Sequence, residues 1–304
     1  MKRLFLVAAG LAAAIAGLLL VQHLRLSTSA DLPDRQEGAL RLATWNVHYI
    51  LTRQAEGRWG LSGWDARKAP LDQVFKALDA DIIAFQEMES FGGGNDDTVN
   101  LTRSWLLERN PAYAAAAIGP WRTFPSTQPI LYRSARLTVL DQGWFFFSDT
   151  PDTVYARGFD GAPPSFASWV QFEDRETGHS FRVVNVHFDA ASRGNRRQSA
   201  TLTATRVAEW ISAGERVILG GDLNALSGAW VLRRLKAAGL TFAPTRHASF
   251  HLDRGLHLFG PIDHIGVSAE AGPVAGPYVL QRRVGPVWPA DHHPVIADIA
   301  LGAL

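Results

Sequence analysis

Val217-Ile218-Leu219-Gly220-Gly221-Asp222-Leu223-Asn224 is the stretch on which the reading of this chain turns. A short apolar run of this kind is a buried strand, and packing gives such a strand no reason to end in a carboxylate and an amide. Asp222 and Asn224 stand two apart, so on an extended chain they share a face. Gly220 and Gly221 carry no side chain that would keep a ligand from the backbone. A Gly-Asp turn at a strand end would look the same, so the weight comes from repetition.

The same design recurs along the chain. Leu40–Trp45 alternates and delivers Asn46; Asp81–Phe85 is a short apolar run that delivers Gln86 and Glu87. Phe181–Val186 alternates and delivers His187, with Asp189 two places on. Pro261–Ile265 holds Asp263 inside an apolar stretch, and Asp291 with His292 precedes another. Short strands that end in Asn, Glu, His or Asp describe a site at the carboxyl edge of a sheet. Oxygen and imidazole groups, with no cysteine in the chain, favour a hard cation, magnesium or manganese, over zinc.

Taken in order, Ala-Thr-Trp-Asn46-Val, Gln-Glu87, Asn-Val-His187-Phe-Asp189, Gly-Asp222-Leu-Asn224, Ile-Asp263-His264-Ile and Ala-Asp291-His292-His293-Pro-Val resemble the endonuclease/exonuclease/phosphatase superfamily of metal-dependent phosphoesterases. The resemblance runs from about residue 40 to residue 300. Gln128–Arg133, Gly143–Asp152 and Arg196–Ala200 are similar to a bacterial branch of metal-dependent hydrolases with deadenylase-like and nocturnin-like relatives. Two positions depart from the pattern: His264 stands where a tyrosine is usual, and His293 adds a second histidine to the Asp-His-x-Pro motif.

The resemblance implies a four-layer α/β/β/α sandwich of two mixed sheets flanked by helices, with the site at one end. It implies Mg2+ or Mn2+ as cofactor, held by Glu87 as principal ligand, Asn46 beside it and Asp291 through water. Asp222 would deprotonate the attacking water, and Asn224 would hold the phosphate or the water. His187 and His292 would donate to phosphoryl oxygens, with Asp263 fixing the His292 ring. Arg196, Arg197 and Asp189 complete the set as substrate-binding candidates. The implied activity is hydrolysis of a phosphoester in a nucleic acid, nucleotide or phospholipid headgroup, with a phosphodiesterase or nuclease first. A phosphomonoesterase or sphingomyelinase-like enzyme is the alternative, and a non-catalytic nucleotide-binding member the third reading.

The chain has 304 residues, 47% of them hydrophobic, enough for one large core. Its net charge of +1 forces no polyanionic partner, and a monomer is expected. Lys2 and Arg3 precede an uncharged run from Leu4 to Val21, close to the ~18-residue lower limit for a spanning helix. Residues 1–30 are therefore an uncleaved membrane anchor, or a signal segment cleaved after Thr28-Ser29-Ala30. In either case the basic start places the remainder outside the cytoplasm, in the periplasm. Residues 31–39 are a linker, within a turn-rich, mixed-charge stretch over 23–38, and 40–304 form the domain.

Helices are expected over Asp65–Leu78, Asp97–Glu108, Arg196–Ser212 and Ala229–Ala238. Strands are expected near 41–47, 81–86, 129–133, 136–140, 168–173, 181–188, 216–220, 241–243, 262–267 and 295–302. Tyr132–Leu140 and the Trp144–Phe147 run suggest hairpins. Ser148–Ser168 and Pro244–Pro261 are long, turn-rich loops suited to shaping a substrate site.

Overall fold

A computed structural model of the chain describes residues 2–91 and 99–301. The expected helix start at Asp97 and strand end at 302 lie outside the described residues. One sheet has the order β13 (Pro273–Val279), β14 (Val295–Ile299), β1 (Leu40–Asn46), β3 (Ile82–Gln86), β6 (Ile130–Arg133), β5 (Tyr113–Ala116). The other has the order β11 (Thr241–Phe242), β12 (Asp263–Val267), β10 (Val217–Asp222), β9 (Ser180–His187), β8 (Phe166–Asp174), β7 (Leu137–Phe146). A two-stranded ribbon joins β2 (Ile50–Leu51) to β4 (Ser90–Phe91). The helices are α1 (Lys2–Leu26), α2 (Leu61–Leu78), α3 (Leu101–Arg109), α4 (Arg193–Ser212) and α5 (Trp230–Lys236).

Strand alternation builds the layers. Leu40, Leu42, Ile82 and Ala84 point inward and meet Val183, Ile218 and Ile265 of the facing sheet. Their neighbours Ala43, Trp45, Ile83 and Phe85 point outward and pack with Leu71, Val74, Phe75 and Leu78 of α2 and Leu106 of α3. On the other side Val184, Val186, Val217 and Leu219 pack with Ala200, Ala204 and Val207 of α4 and Leu232 of α5. Apolar residues on both faces of the central strands thus require a helical cover on each side, giving the expected four layers.

Two parallel pairs aim the chemistry. β1 and β3 are parallel, as are β9 and β10; the remaining pairs of the two large sheets are antiparallel. A parallel pair needs a crossover, supplied by α2 between β1 and β3 and by α4 between β9 and β10. Both pairs therefore end at the same edge, where Asn46 stands opposite Gln86, and Asp222 stands between His187 and Asp263. Behind that edge the sheets are bridged by buried amides: Gln86 Nε2 donates to Asn185 Oδ1 (2.6 Å) and Thr44 Oγ1 (3.0 Å), and Asn185 Nδ2 donates to the Phe85 carbonyl (2.7 Å). The far end is clamped by Arg136, whose guanidinium bonds Asp81 and Asp174, each at 3.0 Å.

The structure corrects several sequence-based expectations. Tyr132–Leu140 is no hairpin: β6 and β7 belong to different sheets, and Arg136 sits at the crossing between them. β7 continues through Trp144 to Phe146 with a bulge between Val139 and Asp141, and its hairpin partner is β8. The unexpected strands β5 and β13 are both edge strands, where alanine, glycine and proline are tolerated because one side needs no pairing. Gly220 and Gly221 are buried rather than open to a ligand. A Cβ on Gly220 would stand 3.4 Å from Thr44 Cβ of the other sheet, and one on Gly221 would stand 2.0 Å from the Val186 carbonyl oxygen. The glycine pair lets the backbone pack closely.

Residues 23–26, read as part of a connection, complete the last turns of α1. The chain then runs along the β13–β14 side, where Gln36 N–H bonds Asp298 Oδ2 (3.2 Å) and Arg35 bonds Asp81 (2.9 Å). Leu26 is fixed at the same end as Asn46, since its carbonyl accepts from Ala248 N–H (3.0 Å) and Gln281 Nε2 (2.9 Å).

Candidate active site

Asp222 closes β10 with its carboxylate buried among complementary groups. Oδ1 accepts the Asn224 N–H at 2.9 Å, while Oδ2 lies 3.3 Å from Asn46 Nδ2, 3.6 Å from His187 Nε2 and 3.7 Å from His292 Nε2. The other nitrogen of the His292 ring, Nδ1, is 2.8 Å from Asp263 Oδ2. Ser249 Oγ holds Asp263 in place by accepting the N–H groups of Ile262 and Asp263. The result is a buried row Asp263–His292–Asp222 whose last carboxylate faces His187.

The electrostatics of the row follow from its burial and its charges. Burial opposes protonation of His292, but Asp263 and Asp222 outweigh it and raise the ring to about 10. Burial and the charge of Asp263 push the Asp222 carboxyl up to about 6, against the pull of His292 and His187. His292 is thus a cationic donor at neutral pH, and Asp222 is a carboxylate near the pKa that suits proton abstraction. Only the deprotonated Asp222 can accept a proton, and its raised pKa brings the loss of that form to about pH 6 rather than 3.8. We expect kcat/KM to fall as pH drops through about 6; a profile flat down to pH 4 would contradict this assignment.

Glu87 follows β3 at φ 54°. Its Oε1 accepts from Asn46 Nδ2 (3.0 Å) and lies 3.9 Å from His187 Nε2. Burial alone would raise this carboxyl, but His187, His48 and the Asn46 hydrogen bond hold it below its usual value. Glu87 Oε2 and Asp291 Oδ1 are buried carboxylate oxygens without a hydrogen-bond partner. Orphaned oxygens of this kind cost free energy unless a cation or water satisfies them, and two carboxylates suit a hard divalent ion. Asp222, Asp263 and His292 also bring ligand atoms within 4.8 Å of one another. That group suits a cation less, because its histidine is raised by its two acids and is held as a donor. Asn46 oxygen accepts the His48 N–H (3.1 Å), so the visible work of this amide is to orient Glu87 and Asp222.

Asn224, at φ 45°, anchors its Nδ2 on the Phe188 carbonyl (2.8 Å). His293 turns away from the row toward His251 and His257, so His292 is the ring that meets Asp263. His264 points to the opposite face of β12, with Nε2 2.8 Å from the Ala225 carbonyl. Asp189 is used locally: Oδ1 accepts the N–H groups of Ala191 and Ser192 at the start of α4. Arg196 bonds the Asp189 and Ala190 carbonyls, and the Arg197 guanidinium lies 5.1 Å over the Trp230 ring. These two arginines, with Arg193 and Arg233, line a groove of about 400 Å³ that begins at Asn224.

Two residues of the site escaped the sequence reading. His48 stacks on Trp59 at 3.5 Å and brings Nδ1 within 4.0 Å of Glu87 Oε2; its place two residues after Asn46 was the available signal. Arg67 is fully buried in α2 and donates to the carbonyls of Val47 (2.7 Å), His48 (2.9 Å) and Pro289 (3.1 Å). It ties the Asn46 loop to the segment before Asp291, and nothing in its helical context announces that role.

The sequence pattern of the Endonuclease/Exonuclease/phosphatase family matches residues 43–292. The chain belongs to this family. Its members are hydrolytic phosphoesterases that typically depend on a divalent metal. Among solved structures, an endonuclease/exonuclease/phosphatase from Bacteroides vulgatus is similar with a TM-score of 0.72 and 25% identity, over 88% of this chain and 100% of that one. A mannosyl-6-phosphatase from Bacteroides thetaiotaomicron has a TM-score of 0.67 and 24% identity, over 86% and 99%. The human Nocturnin catalytic domain with bound sulfate has a TM-score of 0.60 and 17% identity, over 88% and 96%. The latter two share the fold. No curated protein matches the chain.

Proposed function

We propose that this family member is a divalent-metal-dependent phosphodiesterase of nuclease type, anchored by α1 with its domain outside the cytoplasm. The observation that carries the reading is the Asp263–His292–Asp222 row beside the oxygens of Glu87 and Asp291 that lack a hydrogen bond. A phosphoester repels nucleophiles through its charged oxygens, so hydrolysis needs charge neutralisation and an activated water. A cation on Glu87 and Asp291 would supply Lewis acidity. Asp222 takes the proton of the attacking water, and His187 and His292 donate to the phosphoryl oxygens, with Asp263 holding the His292 tautomer.

The groove from Asn224 past Arg193, Arg196, Arg197 and Arg233 supports a substrate that carries further negative charge beyond the scissile phosphate. This favours a phosphodiester over a small phosphomonoester, and a non-catalytic binder would have no use for the Asp222 arrangement. The full chain, in Mg2+ or Mn2+, should be assayed on a chromogenic phosphodiester, a phosphomonoester, single-stranded DNA, RNA and sphingomyelin. Turnover confined to the phosphomonoester would overturn the proposal.

α1 contains one stretch, Phe5–Leu26, long and apolar enough to cross a membrane, and its most apolar 18 residues are not buried against the domain. Lys2 and Arg3 before it support a cytoplasmic N-terminus. A C-terminal alkaline-phosphatase fusion should be active and a cytoplasmic fluorescent reporter dark; the reverse pair of results would refute this orientation.

A further inference from the structure

The end of α1 is joined to one particular loop of the domain. His23 Nδ1 accepts the His257 N–H at 3.1 Å, and the two rings stack at 5.2 Å. Ser27 Oγ donates to the His23 carbonyl (2.7 Å) and lies 2.7 Å from His257 Nδ1. The loop that carries His257 is therefore fixed within about one helical turn, ~5 Å, of the point where the apolar run stops. This same loop exposes Leu252 (38%), Leu256 (40%) and Phe259 (51%). Leu226 (46% exposed) joins them, its Cδ2 3.6 Å from the place a Cβ on Gly260 would occupy. Arg25, two residues after His23, and Arg254, three residues before His257, are both exposed.

We propose that the Leu252–Phe259 loop, with Leu226, is a lipid-docking surface that enters the headgroup boundary of the bilayer crossed by α1. The inference rests on the membrane-anchor reading and goes beyond it. An unburied apolar helix requires lipid around it, and the bonds at His23 and Leu26 leave this loop no freedom to stand far from that lipid. Apolar side chains grouped on a surface cost free energy in water and gain it at the acyl boundary, while arginines beside them meet the phosphates. The docked side is the active-site end. Gln281, which holds Leu26, follows β13 at Val279, whose partner Val295 also pairs with Thr44 near Asn46. Leu226 lies two residues beyond Asn224. The fold thereby holds the catalytic edge against the membrane surface instead of presenting it to bulk solvent.

The chain has no cysteine, so a single introduced thiol labels one site. Full-length Leu256→Cys and Phe259→Cys, placed in nanodiscs of phosphatidylcholine and phosphatidylglycerol, would carry an environment-sensitive fluorophore. Nitroxide lipids labelled at the headgroup, at shallow acyl depth and deep in the acyl chain would serve as quenchers. Leu11→Cys reports on the middle of α1, and Glu176→Cys on the turn at the opposite end of the sandwich. The expected result is a blue shift and loss of most emission at 256 and 259, with no change at 176. Quenching at 11 by deep nitroxides, with 256 and 259 behaving like 176, would overturn the docking surface and leave the anchor intact. No quenching at 11 would overturn the anchor reading and the docking surface together.

Discussion

Asp222→Asn is expected to lower kcat on the order of 10²–10⁴, the range typical of a lost general base, with little change in KM. The replacement is isosteric, so Asn46, Asn224 and the two histidines keep a partner of the same shape. It withdraws the charge that accepts the proton of water, a contribution made in the transition state and not in ground-state binding, at the cost of one of the two oxygens that accept from Asn46 and Asn224. Folding should not suffer, because a buried carboxylate raised by burial and by Asp263 is replaced by a neutral group. A thermal midpoint at or above that of the wild type would separate lost chemistry from lost structure. Asp189→Asn should leave kcat nearly unchanged, since that side chain caps a turn. Near-wild-type turnover by Asp222→Asn would overturn its role.

Removal of divalent metal should be as damaging. A Lewis acid on a phosphoryl oxygen is worth several kcal/mol, on the order of 10³ in rate. Chelation should therefore abolish turnover, and Mg2+ or Mn2+ should restore it. Glu87→Gln keeps the shape but withdraws the charge of a carboxylate whose Oε2 has no hydrogen bond, so it should raise the metal concentration needed for half-maximal activity. A second readout needs no catalysis: metal that binds the native state raises the thermal midpoint by mass action, and Glu87→Gln should blunt that rise. Equal turnover with and without chelator would refute the metal assignment, as would an unchanged metal response in the variant.

Local pattern carried much of this molecule. In Leu40–Trp45, Ile82–Phe85 and Phe181–Val186 apolar residues fall on both faces of the strand, hence a core between sheets and a cover outside each. The polar residues that stop those strands mark the candidate site, because packing alone gives a buried strand no reason to end in Asn46, Glu87, His187 or Asp222. Short-range pattern cannot reveal which strands share a sheet. β6 and β7 are neighbours in sequence yet lie in different sheets, and that separation is set by inward-facing apolar residues and by Arg136 clamped between Asp81 and Asp174. β5 and β13 were hidden because edge strands need neither strong β-propensity nor freedom from glycine and proline.

By itself, then, the sequence determined the layered fold, the order of the motif residues and the apolar N-terminal run, all of which depend on residue type and spacing along one strand or helix. Tertiary structure alone decided the remainder. Gly220 and Gly221 serve sheet packing; Arg67 and His48 join the Glu87 neighbourhood; and the end of α1 is bonded to the His257 loop at the edge that carries Asn46. Each of these is a contact between segments far apart in the chain, set by how closed layers bring their ends together. No local periodicity encodes such a distance.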